Sequence, residues 1–338
     1  MRHINIPIFV PHLGCPHTCV FCNQHTITGL RQFSLETFSQ TVETVLATAP
    51  LDSEKEIAFF GGSFTAIDRN LMLTLLAMAK EYVDLGAVNS IRLSTRPDAI
   101  DDEILTILRS YKVSTIELGI QTTDLNVLIQ SRRGHTAEDG KRACQKIKSY
   151  GFTLVGQMML GLPNSTFEKE LKTAQDMVSW GIDAVRIYPT VVFPDTALAE
   201  MNAEGTYAPL SVDAAIERCA FLLDYFEEEN VPVIRIGLCE TEGLHNTENI
   251  RGAYHPALGE LCLSRLYRFR ILSKLSDYSI QPNSMITVEV APKFLSQAIG
   301  QNQCNLQYFR KIYPECHFFI KPSLALRHKE VKILTKEN

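Results

Sequence analysis

From residue 4 to residue 190 the chain keeps one rhythm: a short apolar run rich in β-branched and aromatic residues, then a longer stretch with helical spacing. "INIPIFV" reads as a strand and residues 33–49 as a helix. "KEIAFFGG" reads as a strand ending in paired glycines, with a helix over 70–83. "SIRLSTRP", "VSTIELGIQ", "GFTLVGQMMLGLP" and "DAVRIYPT" supply four more strands, separated by helices over 101–110, a helical stretch reaching about 150, and 167–180. This alternation specifies βα units on a parallel sheet. Six units predict an α/β fold, a partial (β/α)6 barrel of the TIM type, open on one side. Gly61 and Gly62, Ser94, Gln121, Gln157 and Tyr188 all fall at the C-terminal ends of these strands. In a βα barrel that edge is where chemistry collects.

After residue 190 the rhythm changes. A helix is predicted over 212–229, a strand at "VPVIRIGL" and a helix over 259–276. Residues 281–338 then read as a small module: strand "MITVEVA", a helix from Pro292, "IGQNQCN", helix "LQYFRKI", and strands "CHFFIKP" and "LALRHKEVKI". The expected division is a core barrel over 1–195, an extension covering it over 196–280, and the C-terminal α/β module over 281–338. That module has eight Lys and Arg against four Asp and Glu, a net +4, while the rest of the chain is -9. Its order of elements is that of a KH-type RNA module, whose GXXG loop grips the nucleic-acid backbone. "GQNQ" at 300–303 lacks the second glycine. The other reading is an α/β cap that packs the open barrel.

Overall the 338 residues carry a net charge of -5, so no global positive field advertises nucleic acid. The N-terminal apolar stretch is broken by Pro7 and Pro11 and lacks a cleavage site. No run of about 18 apolar residues is present to span a membrane. A cytoplasmic protein is expected. Six of the nine cysteines are scattered singly, which is not a disulfide framework.

The other three, Cys15, Cys19 and Cys22, sit within eight residues as C-x3-C-x2-C. Three thiolates can hold three irons of a [4Fe-4S] cluster and leave the fourth iron without a protein ligand. An open position marks a catalytic rather than a structural centre. The competing reading is a zinc site of three cysteines and one histidine, from His12, His17 or His25.

With the strand-end residues in order behind it, this triplet resembles the radical S-adenosylmethionine (SAM) enzymes, over residues 4–190. The resemblance implies that the cluster binds SAM by its amino and carboxylate groups and cleaves it to a 5′-deoxyadenosyl radical, which takes hydrogen from the substrate. It implies that Gly61 and Gly62 in "FFGGSFT" meet the SAM amino group. Gln121 in "GIQ" and Arg133 in "SRRGHT" would bind its ribose and carboxylate, and Gln157 in "QMMLGLP" would be a further SAM contact. An electron donor such as flavodoxin or ferredoxin is implied as a partner.

"STRPDAI", "ELGIQ", "RRGHT", "MMLGLPN" and "RIYPT" together are most similar to the radical-SAM half of the Elongator protein 3 family, which modifies the wobble uridine of tRNA. Departures are clear. The sequence stops at Asn338, so the acetyltransferase domain of that family is not expected. The cysteine spacing is tighter, Ser94 replaces a glutamate near the SAM ribose or the substrate, and Gln157 replaces a histidine. SAM cleavage therefore carries over, with an RNA substrate behind it, and acetyl chemistry does not. Arg186 and Tyr188, on the sixth strand, are candidates to face substrate. His255, in the loop Tyr254-His255-Pro256, is a candidate acid, base or substrate contact, while Glu240 and Glu242 are equally well explained as solvated.

Two alternatives stay open. One is a tetrapyrrole enzyme like oxygen-independent coproporphyrinogen oxidase, although the extra cysteine of that branch is Gln24 here. The other is a non-catalytic member that binds a cluster or RNA without turnover.

Overall fold

The computed structural model describes residues 3–10, 14–15, 19–23, 34–238, 250–327 and 329–336. His12, His17, Gln24, His25, Cys239, Glu240 and Glu242 lie outside the described residues.

Side-chain caps begin the helices. Ser34, Asp68, Asp101 and Thr166 each accept a bond from the backbone N–H three residues on, starting helices Leu35–Thr48, Arg69–Asp84, Asp102–Ser110 and Phe167–Ser179. Thr136 and Asp139 form a reciprocal capping box at the start of Ala137–Ser149. Between these helices run β1 (His3–Phe9), β2 (Glu54–Phe60), β3 (Ser90–Thr95), β4 (Val113–Gln121), β5 (Thr153–Leu160) and β6 (Ala184–Pro189). They pair in parallel and in chain order, the half-barrel that the alternation predicts.

The six-unit reading stops one strand short. After β7 (Val191–Val192) and helix Val212–Glu228 comes β8 (Val233–Ile236), which pairs in parallel with β6 as the seventh strand. The bare edge of β6 offers unpaired N–H and C=O groups, and the next short apolar run satisfies them. β7 pairs instead with β9 (Arg251–Gly252). The chain accordingly divides into Met1–Ser211 with Phe226–Tyr254, and Val212–Tyr225 with His255–Asn338. Residues 196–211 and 226–254, expected in the extension over 196–280, cluster with the barrel, to whose sheet β8 belongs.

One face of the seven-stranded sheet is apolar and lies under the helices. Phe59 stacks on Phe38 of helix Leu35–Thr48 at 6.1 Å between centroids and on Phe64 at 4.3 Å. A Cβ at Gly156 of β5 would lie 2.3 Å from Met177 Cε, so glycine lets helix Phe167–Ser179 close on the strand. The opposite face carries Glu56, Arg92, Glu117, Gln157 and Arg186, joined to one another by hydrogen bonds.

In the second unit, helix Leu258–Leu275 lays Tyr267, Ile271 and Leu275 against a three-stranded sheet of order β11 (His317–Pro322), β10 (Met285–Val290), β12 (Val331–Lys336). Phe309 of helix Cys304–Ile312 stacks on Phe318 at 4.8 Å. Gly300, Asn302 and Gln303 all have positive φ, so Gln303 takes up a left-handed conformation where "GQNQ" lacks its second glycine. Among the described residues no helix is long and apolar enough to cross a membrane.

Candidate functional site

The cysteine stretch is fastened at both ends. Gly14 has φ +72°, and a Cβ there would come within 2.4 Å of Ser63 O and 2.6 Å of Ile67 N. Only glycine lets the backbone pass that close, and it brings Cys15 Sγ to 3.7 Å from Ser63 Oγ. At the other end, Val20 N–H donates to Ser131 O, Leu198 N–H donates to Val20 O, and Asn23 Nδ2 donates to Pro194 O. Val20 also packs with Val192, Leu198 and Tyr207. No disulfide forms among the described cysteines.

All three cysteines line one cavity of about 300 Å³ at the C-terminal ends of the strands. Gly62, Ser94, Gln121, Arg133 and Gln157 line the same cavity. Gly61 is not among the lining residues but makes the turn after β2 with φ +96°. Thus eight of the nine residues read as metal or cofactor contacts share one cavity, although they come from six separate stretches of sequence.

Two of them are held in a demanding way. Gln121 closes β4 with φ +65°, next to a register shift in the β4–β5 ladder. A non-glycine residue in that region is strained, and such strain clusters where function requires it. Gln121 Oε1 is buried and has no protein partner. Arg133, 8% exposed, donates from Nη1 to Cys19 Sγ at 3.2 Å and from Nη2 to Gly119 O at 2.6 Å, leaving Nε buried without a partner. A Cβ at Gly119 would lie 3.1 Å from Gln121 Nε2 and 3.4 Å from Arg133 Nη2, so this glycine makes room for both.

A charged layer lies beside the cavity. Glu117 is 0% exposed. Its Oε1 accepts from Arg92 Nη1 and Arg186 Nη2, and its Oε2 accepts from Gln157 Nε2, all at 2.8 Å. Arg92 Nε also donates to Glu56 at 2.6 Å. Gln157 reaches Ser94 Oγ at 3.4 Å. Burial of Arg186 opposes its charge, but Tyr188 and Glu117 outweigh that and hold the guanidinium above its ordinary pKa. Tyr188 is hydrogen-bonded to Arg186. Neither lines the cavity, and nor does His255, which lies in the second unit with Nδ1 accepting from Ala257 N–H at 3.0 Å.

Three residues here received no role from the sequence, although Arg96 lies at a polar strand end beside Ser94. Arg96, 4% exposed, lines the cavity, pairs with Asp98 and donates to Arg133 O at 2.6 Å. His135 is buried, and desolvation with the neighbouring Arg133 charge pulls its pKa down to about 4. Its Nδ1 meets Thr136 O at 3.3 Å, which fixes that nitrogen as the donor and leaves Nε2 unpartnered. The third is Glu117. A signal for it was present: parallel strands covered on both faces read as continuous apolar runs, and "IELGI" interrupts one with a carboxylate.

Thiolates are the usual ligands of iron–sulfur clusters. A buried polar atom without a partner costs about 1–3 kcal/mol. Gln121 Oε1, an acceptor, and Arg133 Nε, a donor, therefore fit a ligand that brings both kinds of group. The amino, carboxylate and ribose groups of SAM do so.

Comparison with known proteins agrees with this geometry. The family model "Radical SAM superfamily" matches residues 9–177, and "Radical_SAM C-terminal domain" matches 182–268. A tRNA uridine(34) acetyltransferase of Methanocaldococcus jannaschii is 26% identical over 245 residues, covering 60% of this chain and 45% of that protein. Elongator complex protein 3 of Dictyostelium discoideum is 25% identical over 313 residues, covering 77% and 54%. The chain thus spans about half the length of these two relatives. Among solved structures, an N-terminally truncated archaeal Elongator protein 3 of Methanocaldococcus infernus shares the fold, with TM-score 0.62 and 19% identity over 81% of this chain and 63% of that one. Half of the present chain matches the first family model and residues 182–268 match the second, so this chain belongs to the radical SAM superfamily, whose enzymes use a [4Fe-4S] cluster and SAM.

Proposed function

We propose that this protein holds a [4Fe-4S] cluster on Cys15, Cys19 and Cys22, cleaves SAM beside it, and abstracts hydrogen from an RNA substrate of the tRNA class. The observation that carries the reading is the single cavity on which those cysteines meet Gly62, Ser94, Gln121, Arg133 and Gln157. When bound, cluster and SAM supply the one-electron chemistry, with the electron delivered by a protein such as flavodoxin or ferredoxin.

The chain's own residues hold and orient. The backbone at Gly61 and Gly62 meets the SAM amino group, Gln121 and Arg133 take its ribose and carboxylate, and Ser94 and Gln157 complete that side. Arg96 steadies Arg133 through its carbonyl. Glu117 fixes Gln157 on one side and Arg186 on the other. It thereby ties the SAM side of the cavity to the Arg186–Tyr188 pair, which is proposed to face substrate. His255 is kept as a candidate substrate contact. The RNA substrate is supported by the names of two relatives, from Methanocaldococcus jannaschii and Methanocaldococcus infernus, each a tRNA uridine(34) acetyltransferase. The acetyl step is not carried over.

The test is anaerobic reconstitution followed by dithionite reduction with bulk tRNA. Iron and sulfide near four per chain, and release of 5′-deoxyadenosine, are expected. The C15A/C19A/C22A protein should lose both. Unchanged 5′-deoxyadenosine formation by that triple variant would sink the mechanism.

A further inference from the structure

The small sheet of the second unit has one face in its core and the other in solvent. Ile286, Val288, Phe318 and Ile333 fill the core face. Strand alternation turns their neighbours outward, and the register sets those on a grid. The middle row runs Phe319, Thr287, Leu334 across the three strands. Phe319 is 48% exposed and Leu334 37%. The row on one side has His317 and Lys336 flanking Met285, which is itself 36% exposed. The row on the other side has Lys321 and Lys332 flanking Glu289.

Three lysines and His317 therefore stand at the corners of a strip in which Phe319 and Leu334 flank Thr287. From strand spacing and rise, the corners are about 10 Å apart across the sheet and about 13 Å apart along it. Glu289 is the one acid on this face, and its carboxylate lies 3.6 Å from Lys321 Nζ. Beside Phe319 a hollow of about 310 Å³ opens, bounded by Arg310, Pro314, Cys316 and His317 together with Phe318 and Phe319. The segment that builds this face is also the basic part of an otherwise acidic chain.

We propose that this face binds single-stranded RNA, with phosphates on the corner lysines and bases stacked over Phe319 and Leu334. The proposal rests on the RNA-substrate reading above and adds where, outside the barrel, that RNA is gripped. Sequence-tolerant binding of single strands combines an exposed aromatic platform with cations that follow the backbone, as here. A duplex keeps its bases stacked inside and offers this strip nothing to stack.

The test uses the full-length protein and a labelled, unstructured RNA of about 16 nucleotides, the upper end of the site size of a single fold. Binding is followed by fluorescence anisotropy over a range of salt. Phe319→Ala should weaken it about tenfold. The triple variant Lys321→Gln, Lys332→Gln, Lys336→Gln should flatten the slope of log Kd against log salt by about 2. All four positions are in solvent or on the outer face, so native circular dichroism is expected. Both variants should still release 5′-deoxyadenosine on dithionite reduction, which scores the radical chemistry separately from the surface. Affinity within twofold of wild type in both variants, with an unchanged salt slope, overturns the proposal. So does RNA binding left intact while reduction by an acidic protein donor is lost, since the face would then be a protein-docking surface. A wild-type protein that releases 5′-deoxyadenosine but binds no RNA overturns the surface and leaves the cluster chemistry standing.

Discussion

Glu117 offers the sharpest test of how the barrel interior supports the site. Its carboxylate is 0% exposed and takes one hydrogen bond each from Arg92, Arg186 and Gln157. In Glu117→Ala, Arg92 still has Glu56. Arg186, whose side chain is 11% exposed, loses its carboxylate. Removing one partner of a buried pair leaves an uncompensated charge and costs about 3–5 kcal/mol. At about 2–4 °C per kcal/mol for a unit of this size, the melting temperature should fall by about 6–20 °C. Gln157 loses its anchor too, and one lost charge-assisted bond should weaken SAM binding about tenfold. Calorimetry gives the first quantity and SAM titration of the reconstituted protein the second. A cycle with Arg186→Met adds the decisive comparison: the double variant should be more stable than the sum of the two single losses by at least about 1 kcal/mol. Additive losses, or a Glu117→Ala protein within about 0.5 kcal/mol of wild type, would show that the buried ladder does not work as a unit.

Other expectations are equally direct. His135 is neutral when buried, with a pKa of about 4 against its ordinary 6.5. The unfolded chain therefore protonates first: its contribution is complete above pH 6.5 and is lost by about 3 kcal/mol as pH falls toward 4. In urea titrations of the cluster-free protein at stepped pH, His135→Phe should flatten that part of the profile. Gln121→Gly relieves the left-handed strain at φ +65°, so the melting temperature should hold or rise while SAM affinity drops at least tenfold; equal SAM affinity would remove Gln121 from the site. Cys144 is fully buried, with its thiol pushed up to about 12 by desolvation. It should resist iodoacetamide in the native protein and react only after denaturation, while exposed Cys15 reacts at once in the cluster-free form.

Much of this could be read locally. The strand and helix positions follow from periodicity and caps, which are properties of neighbouring residues. Cys15, Cys19 and Cys22 stand out by spacing and Gln121 by its place at a strand end, while Arg133 is singled out only by the family resemblance. The charged layer was harder to see, because its bonds join residues far apart in the chain: Arg186 to Glu117 spans 69 positions and Arg133 to Cys19 spans 114. Nothing near Arg186 in sequence indicates that it is clamped by Glu117. Equally, nothing in "VPVIRIGL" indicates that it closes the main sheet, since strand pairing depends on which edge is left bare.

By itself the sequence determined the alternation of strand and helix, the closely spaced cysteine triplet and the polar residues at strand ends, because each is written in residues a few positions apart. Only the tertiary structure decided that the cysteines and polar strand ends share a cavity, that Glu117 ties two sides of the barrel interior together, and that the C-terminal module turns a framed apolar strip to solvent. Those outcomes depend on register and on burial. A side chain's charge acquires its consequence only when folding removes water from around it and leaves another residue to answer for it.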